Sequence, residues 1–243
     1  MFKWIARRYP VLLLGWAVRY FPILRILKRR VPAGGLLLDI GSGPFGLAAF
    51  YRKPFVGCDL EFPWVPRRPM IPVRCSATRL PFADASFPAV VASDVLEHVP
   101  PEYRSSLVHE ALRVAGDVAI FGFPSGSIAY ESDRSFRDYL RQRRIPPYGW
   151  LEEHMLYPFP DRTLFDGLAP EWSVVSFGND NVGFNDWVNR SELSKITKGL
   201  FWVLLTVASR PVGALLRFAD RAPFYRMIVV VTRKPPAGDS APG

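Results

Sequence analysis

The sequence predicts an α/β fold: a doubly wound sheet with a helical extension in front of it. Two observations carry this. Residues 34–60, GGLLLDIGSGPFGLAAFYRKPFVGCDL, read as strand, glycine loop, helix and strand, with an acid near the end of each strand. Downstream, short apolar runs alternate with helix-spaced segments, the order that builds a parallel sheet with helices on its faces. A length of 243 residues suits one large domain or one domain with insertions, and 49% apolar residues supply a sizeable core.

In chain order, residues 1–30 hold two apolar runs, Val11–Val18 and Ile23–Leu27, punctuated by Pro10 and Pro22 and interrupted by Arg19. A spanning helix needs about 20 consecutive apolar residues, and this segment falls short. On a helical projection Arg7, Arg8, Arg19, Arg25, Lys28 and Arg29 gather mainly on one side, and Ile5, Leu12, Leu13, Trp16, Ile23 and Leu27 on the other. Three readings stay open. The segment is a basic amphipathic helix pair lying in an anionic membrane interface, a cap packed on the body, or a signal peptide without a small-residue cleavage site.

Gly35–Ile40 reads as a continuous apolar strand, followed by the loop Gly41–Gly46, a helix over Leu47–Tyr51 and a second strand over Phe55–Cys58. So tight a unit makes a parallel pair with a right-handed crossover. Ile71–Arg74 and Ala89–Ser93 read as strands three and four. Pro101–Val114 carries Tyr103, Leu107, Ala111 and Val114 at helical spacing, and Asp117–Phe123 is a fifth strand. Residues 130–157 are polar, basic and aromatic, too long for a plain connection, and read as a lid or substrate segment. Arg162–Leu168 reads as a short helix, Trp172–Phe177 as a sixth strand and Tyr225–Thr232 as a seventh. Residues 182–222 read as a helical insertion whose apolar run, Leu200–Ala208, is too short to span a bilayer. It either packs on the domain or joins the first thirty residues at a membrane. The domain proper is then 31–233, and residues 234–243 read as a disordered tail.

The net charge of +9 is unevenly placed. Residues 1–30 hold eight basic residues and no acid, so the remaining 23 basic and 22 acidic residues nearly cancel. A nucleic-acid binder wants a basic face on its body, so no nucleic acid is expected. The basic start instead suits an anionic membrane surface. Cys58 and Cys75 make no CxxC pair and read as thiols in a reducing compartment. His98, His109 and His154 show no metal spacing with one another or with the cysteines, and no metal is assigned. The expected location is cytoplasmic, peripheral on the inner face of the membrane.

Glycines at 41, 43 and 46 let the backbone turn sharply and approach a ligand, at the carboxyl end of a strand where open α/β sheets bind. Asp59 can accept two hydrogen bonds from ribose hydroxyls. This much also fits a nicotinamide enzyme. Asp39, just before the glycines, suits a cationic or amino-acid-bearing cofactor better than a pyrophosphate, which it would repel. With these features stand SATRLPFADASFPAVVASDVLEHVP and EALRVAGDVAIFGFP, in order after LLLDIGSGPFG and VGCDL. As a set, over roughly residues 34–125, the chain resembles the class I S-adenosylmethionine-dependent methyltransferases of the small-molecule type 11 group.

The resemblance implies a Rossmann-like, seven-stranded sheet whose last strand is antiparallel, and S-adenosyl-L-methionine as cofactor. Asp39, Gly41, Ser42 and Gly43 would hold its amino-acid end. Asp59 and Leu60 would lie at the ribose, Ser76 and Ala77 would flank the adenine, and Asp94 would lie beside the methionine portion. The family usually has Asp where Ser76 stands; serine can still accept one hydrogen bond. Transfer needs the acceptor held in line and close, with a group to take a proton. His98, His154 and Glu153, with Glu152 beside it, are the candidates. The acceptor expected is a small or lipid-linked molecule at the membrane surface. The rival reading is a non-catalytic, membrane-peripheral binding protein on a degenerate methyltransferase scaffold.

Overall fold

The computed structural model of the chain describes residues 13–234. Residues 1–12 of the expected basic extension and residues 235–243 of the expected tail lie outside the described residues.

Seven strands form one sheet: β1 (Leu38–Ile40), β2 (Phe55–Asp59), β3 (Met70–Arg74), β4 (Phe87–Ser93), β5 (Ala115–Pro124), β6 (Trp172–Asn181) and β7 (Phe224–Arg233). Their order is β3-β2-β1-β4-β5-β7-β6. β7 is antiparallel to β5 and β6, and the remaining pairs are parallel. This is the Rossmann-like, doubly wound sheet with an antiparallel last strand. The winding reverses between β1 and β4, which opens a crevice at the carboxyl ends of those strands.

Among the described residues, six α-helices accompany the sheet: α1 (Leu14–Arg30), α2 (Pro101–Val114), α3 (Gly126–Gln142), α4 (Gly149–Glu153), α5 (Val182–Ser191) and α6 (Lys195–Leu215). α2 lays Leu107, Val108, Ala111 and Leu112 on one face of the sheet, against Leu38, Ile40, Val90 and Phe121. α1 covers the other face: Tyr20, Ile23 and Leu27 pack against Leu37, Phe55, Val91 and Ile120. Each such apolar side chain contributes roughly 1.5–3 kcal/mol when fully buried, which is why the apolar stripe of α1 turns to the sheet. Over Leu14–Arg30 the extension is therefore a cap. Over that range it is one continuous helix that runs on through Pro22.

One expectation changes. The helix read over Leu47–Tyr51 is a 3-10 turn, Gly46–Ala49. Near its start Leu47 N donates to Asp39 Oδ2 at 2.8 Å, and Pro54 stops the segment before an α-helix can nucleate. Much of the stretch 130–157 is helical: α3 and α4 occupy most of it and share a small core of Phe136, Leu140 and Leu151.

The insertion between β6 and β7 is helical, as expected. α5 and α6 pack on α1: Val188, Phe201, Leu205 and Val212 meet Leu14 and Ala17. α6 is broken at Ala208 (φ −129°, ψ 35°). Pro211 follows three residues later, where its ring would clash with the carbonyl of residue 207 in an unbroken helix. Lys195–Phe218 is, among the described residues, the one helical stretch long and apolar enough to cross a membrane. It lies along the body with one stripe packed, while Ile196, Leu200, Val203, Leu204 and Val207 face outward, exposed.

Candidate active site

The loop after β1 is shaped by its glycines. Gly41 and Gly43 adopt φ +67° and +51°, the left-handed region. A Cβ on Gly41 would stand 2.3 Å from Val95 Cγ2, whereas one on Gly43 would meet nothing within 4 Å. Gly41 is required by packing, and Gly43 leaves its side of the loop open. The amides of Gly41 and Ser42 donate to Cys58 O at 2.8 and 3.1 Å, and Gly43 N donates to Asp59 Oδ2 at 2.8 Å. The loop is thereby stitched to the end of β2.

A cavity of about 810 Å³ opens over this loop, within the range of about 300–1,000 Å³ that small-molecule sites occupy. Gly41, Ser42, Gly43, Asp59 and Leu60 line one side, and Ser76, Ala77 and Asp94 line the rest together with His98 and Glu153. These predicted residues come together. Asp39 does not join them. It is 2% exposed, lies beneath the loop, and accepts from Leu47 N instead of facing the cavity. Burial pushes its carboxyl up to about 7, against the Leu47 hydrogen bond, which lowers it. Ser76 Oγ lies 2.9 Å from Thr78 Oγ1 and accepts from Thr78 N at 3.3 Å, so the departure from Asp is absorbed in a local turn on the cavity wall. Cys58 and Cys75 are free thiols, and burial pushes both up.

A second cavity, about 370 Å³, adjoins the first and shares Trp16, Arg19, Asp94 and His98 with it. Tyr148, Trp150, His154 and Arg226 line its other walls. Asp94 stands at the join with φ 55°, a conformation Asp tolerates better than most residues. Arg19 of α1 and Arg226 of β7 both pair with it. Sequence reasoning missed both arginines: Arg19 was read as part of an outer basic face. The signals were present, since Arg19 interrupts an apolar run and Arg226 interrupts the apolar strand YRMIVVV.

Beside Asp94 the fold gathers a polar cluster that sequence spacing did not reveal. His154 Nδ1 lies 2.6 Å from Asp133 Oδ2, and Tyr225 Oη donates to the same carboxylate at 2.9–3.0 Å. His154 Nε2 faces Glu97 Oε1 at 3.9 Å. The ring of His98 stands 4.9 Å from that of His154, and His98 Nδ1 is 2.8 Å from Glu153 Oε2. Burial, with His154 and Arg19 adding to it, holds His98 down to about 4, so at neutral pH its contact with Glu153 is not an ion pair. Burial pushes Glu97 up to about 8. Glu152 turns away to Arg141 at 2.9 Å and takes no part. Asp133 had a legible signal: it sits on the buried stripe Ala129, Phe136 and Leu140 of α3, where a carboxylate must be partnered.

The residues at the first cavity fit a ligand with a nucleoside and an amino-acid end. Gly43 leaves space for it. The Asp59 carboxylate accepts one short hydrogen bond, from Gly43, and one of 3.4 Å from Glu61 N, which leaves acceptor capacity for hydroxyls.

A family model described as a methyltransferase domain, type 11, matches residues 38–120. An uncharacterised methyltransferase of Mycobacterium sp. (strain KMS) is 34% identical over 128 residues, 49% of this chain and 50% of that protein. One from Mycobacterium tuberculosis (strain H37Rv) is 37% identical over 93 residues, 34% of this chain and 36% of its own length. The chain thus spans about half the length, or less, of these curated relatives. Among solved structures, the magnesium protoporphyrin IX methyltransferase of Synechocystis PCC 6803, with bound SAH, superposes with a TM-score of 0.53 at 12% identity, covering 91% of this chain and 84% of that one. At that identity the likeness is one of fold. The match begins in β1 and ends inside β5, so it contains the glycine loop, Asp59, Ser76 and Asp94. Through residues 38–120, on this seven-stranded sheet, the chain is similar to the methyltransferase domain of that family model and of the mycobacterial relatives.

Proposed function

We propose that the chain is an S-adenosylmethionine-dependent methyltransferase acting on a small or lipid-linked acceptor at a membrane surface. The observation that carries this is the pair of adjoining cavities. The first has the glycine loop and Asp59; the second is walled by Tyr148, Trp150 and His154, and the two share Asp94 and His98. Bound S-adenosylmethionine supplies a methyl group on a sulfonium. The chain's own part is to hold and orient. The loop Gly41–Gly43 takes the amino-acid end, Asp59 accepts from the ribose, and Ser76 and Ala77 flank the adenine. Asp39 acts from below, by fixing Leu47 N and with it the path of the loop. Arg19 and Arg226 hold Asp94 in place between the two cavities. His98 and Glu153 stand where an acceptor entering from the second cavity meets them.

The membrane half is supported by α6. Ile196, Leu200, Val203, Leu204 and Val207 recur at helical spacing on its outer face. Lys195 and Arg210 lie exposed along the same helix, and Arg217 lies exposed just past its end. An apolar stripe edged by cations suits the plane of an anionic leaflet. The described part of the extension, by contrast, spends its apolar face on the sheet.

The test follows label from a methyl-tritiated donor incubated with the chain and whole-cell extract. Transfer into the organic phase is expected for a lipid-linked acceptor. Label confined to water-soluble product sinks that half, and no transfer sinks the activity. Flotation with vesicles containing anionic lipid tests the surface. The parent is expected to float and the Leu200→Glu/Val207→Glu variant to stay behind; equal behaviour of the two contradicts the role given to α6.

A further inference from the structure

We propose that Glu97, His98 and His154 form a site for one divalent first-row transition-metal ion at the join of the two cavities. Among the described residues, one carboxylate oxygen and one nitrogen from each ring lie within 4.8 Å of one another. Two imidazoles and a carboxylate make a donor set suited to zinc, manganese, cobalt or iron. In a tetrahedral set, ligand atoms about 2.1 Å from one ion stand about 3.4 Å apart, so side-chain closure of up to about 1.4 Å completes the set.

Glu97 supplies the independent observation. Its side chain is fully buried, and neither carboxylate oxygen has a hydrogen-bond partner. A buried carboxyl group whose oxygens find no donor is an uncompensated polar group, and a cation that displaces its proton would satisfy both oxygens. The histidines are also dressed as ligands. A ligating imidazole is usually oriented by a carboxylate at its other nitrogen. Asp133 does this for His154 at 2.6 Å and is itself held by Tyr225, which leaves Nε2 facing Glu97. Glu153 Oε2 lies 2.8 Å from His98 Nδ1. Asp133 and Glu153 beside the two rings, and Glu97 once its proton is displaced, favour a dication there.

The place of the ion suggests its use. His98 lines both cavities, so coordination positions not filled by the protein open toward the acceptor. An ion there takes an oxygen of the acceptor and makes a hydroxyl more acidic. The acceptor class is then one that presents a hydroxyl oxygen rather than an amine. That use rests on the methyltransferase reading; the binding of the ion does not.

Co²⁺ titrated into the full chain, with no cofactor present, is the test. Visible absorption bands saturating at one ion per chain are expected, with a rise in the parent's melting temperature as ion is added. Glu97→Gln and His154→Gln should each weaken binding at least about tenfold, and Asp133→Asn about 10–100-fold, as for other groups that orient a ligand. A parent that shows neither bands nor a melting shift overturns the site, as does unchanged affinity in all three variants. S-adenosylhomocysteine binding, measured on the same samples, separates the outcomes. Cobalt bound without that ligand would leave the metal site standing and the methyltransferase reading fallen; the reverse would do the opposite.

Discussion

Gly46 and Asp39 form one device. A Cβ at Gly46 would stand 2.3 Å from Asp39 Oδ2, and the residue holds φ +45°. Gly46→Ala should therefore cost about 1–3 kcal/mol through strain and displacement of the carboxylate, read as a lower denaturation midpoint. Asp39 makes stability depend on pH. Its ordinary value is 3.8 and its folded value about 7, raised chiefly by burial, so the folded chain keeps a proton that the unfolded chain has lost. The stability that the neutral carboxyl contributes is full below the ordinary value and is lost as pH rises through about 7. Asp39→Asn, neutral throughout, should flatten the midpoint-versus-pH curve across that window. Parallel curves for parent and variant would show that Asp39 is not buried as described. At this scale the sequence was informative where chemistry is local. The glycines, Asp59 and Ser76 follow one another along the crevice and could be read from their neighbours. Arg19, Asp133 and Arg226 meet only through the fold, from helices and a strand more than ninety residues apart. Only a charge placed on an apolar stripe marked them.

At the scale of elements, α1 is a structural part of the domain. Ile23 is fully buried against the sheet, so Ile23→Ala should cost roughly 2–5 kcal/mol in chemical denaturation. A cost below 1 kcal/mol, on the order of a surface change, would mean that the helix is only loosely docked. α6 makes a sharper contrast because neighbouring positions face opposite ways. Leu205 is 1% exposed and Val207 82%. Leu205→Glu should unfold the helix from α1, while Val207→Glu should stay within about 0.5 kcal/mol of the parent. Long periodic elements such as α2 could be read from the sequence to the residue, Pro101–Val114. The 3-10 turn at Gly46–Ala49 could not, because its shape depends on a hydrogen bond from Leu47 to Asp39 in the preceding strand. α3 was hidden for a different reason: an acid occupies one of its buried positions, and a binary apolar pattern passes over it.

For the whole molecule, the strand order places β1 and β4 side by side, and the cavity follows from that adjacency. The helices α1, α3 and α4 then pack beside the second cavity, bringing Arg19, Asp133 and, one residue past α4, His154 to the carboxyl edge of the sheet. The basic start of the sequence, which pointed outward to a membrane, contributes at least one of its charges inward, to Asp94. The outward-facing apolar surface belongs instead to the insertion between β6 and β7. The account stands on the cavity over the glycine loop being a cofactor site. Titration calorimetry of S-adenosylhomocysteine into the parent and into Asp59→Ala tests this most directly. The account predicts one site per chain in the parent and at least about tenfold weaker binding in the variant, a loss of about 1.4 kcal/mol or more. No binding heat in the parent across a range of temperatures, or equal affinity in both proteins, would contradict it.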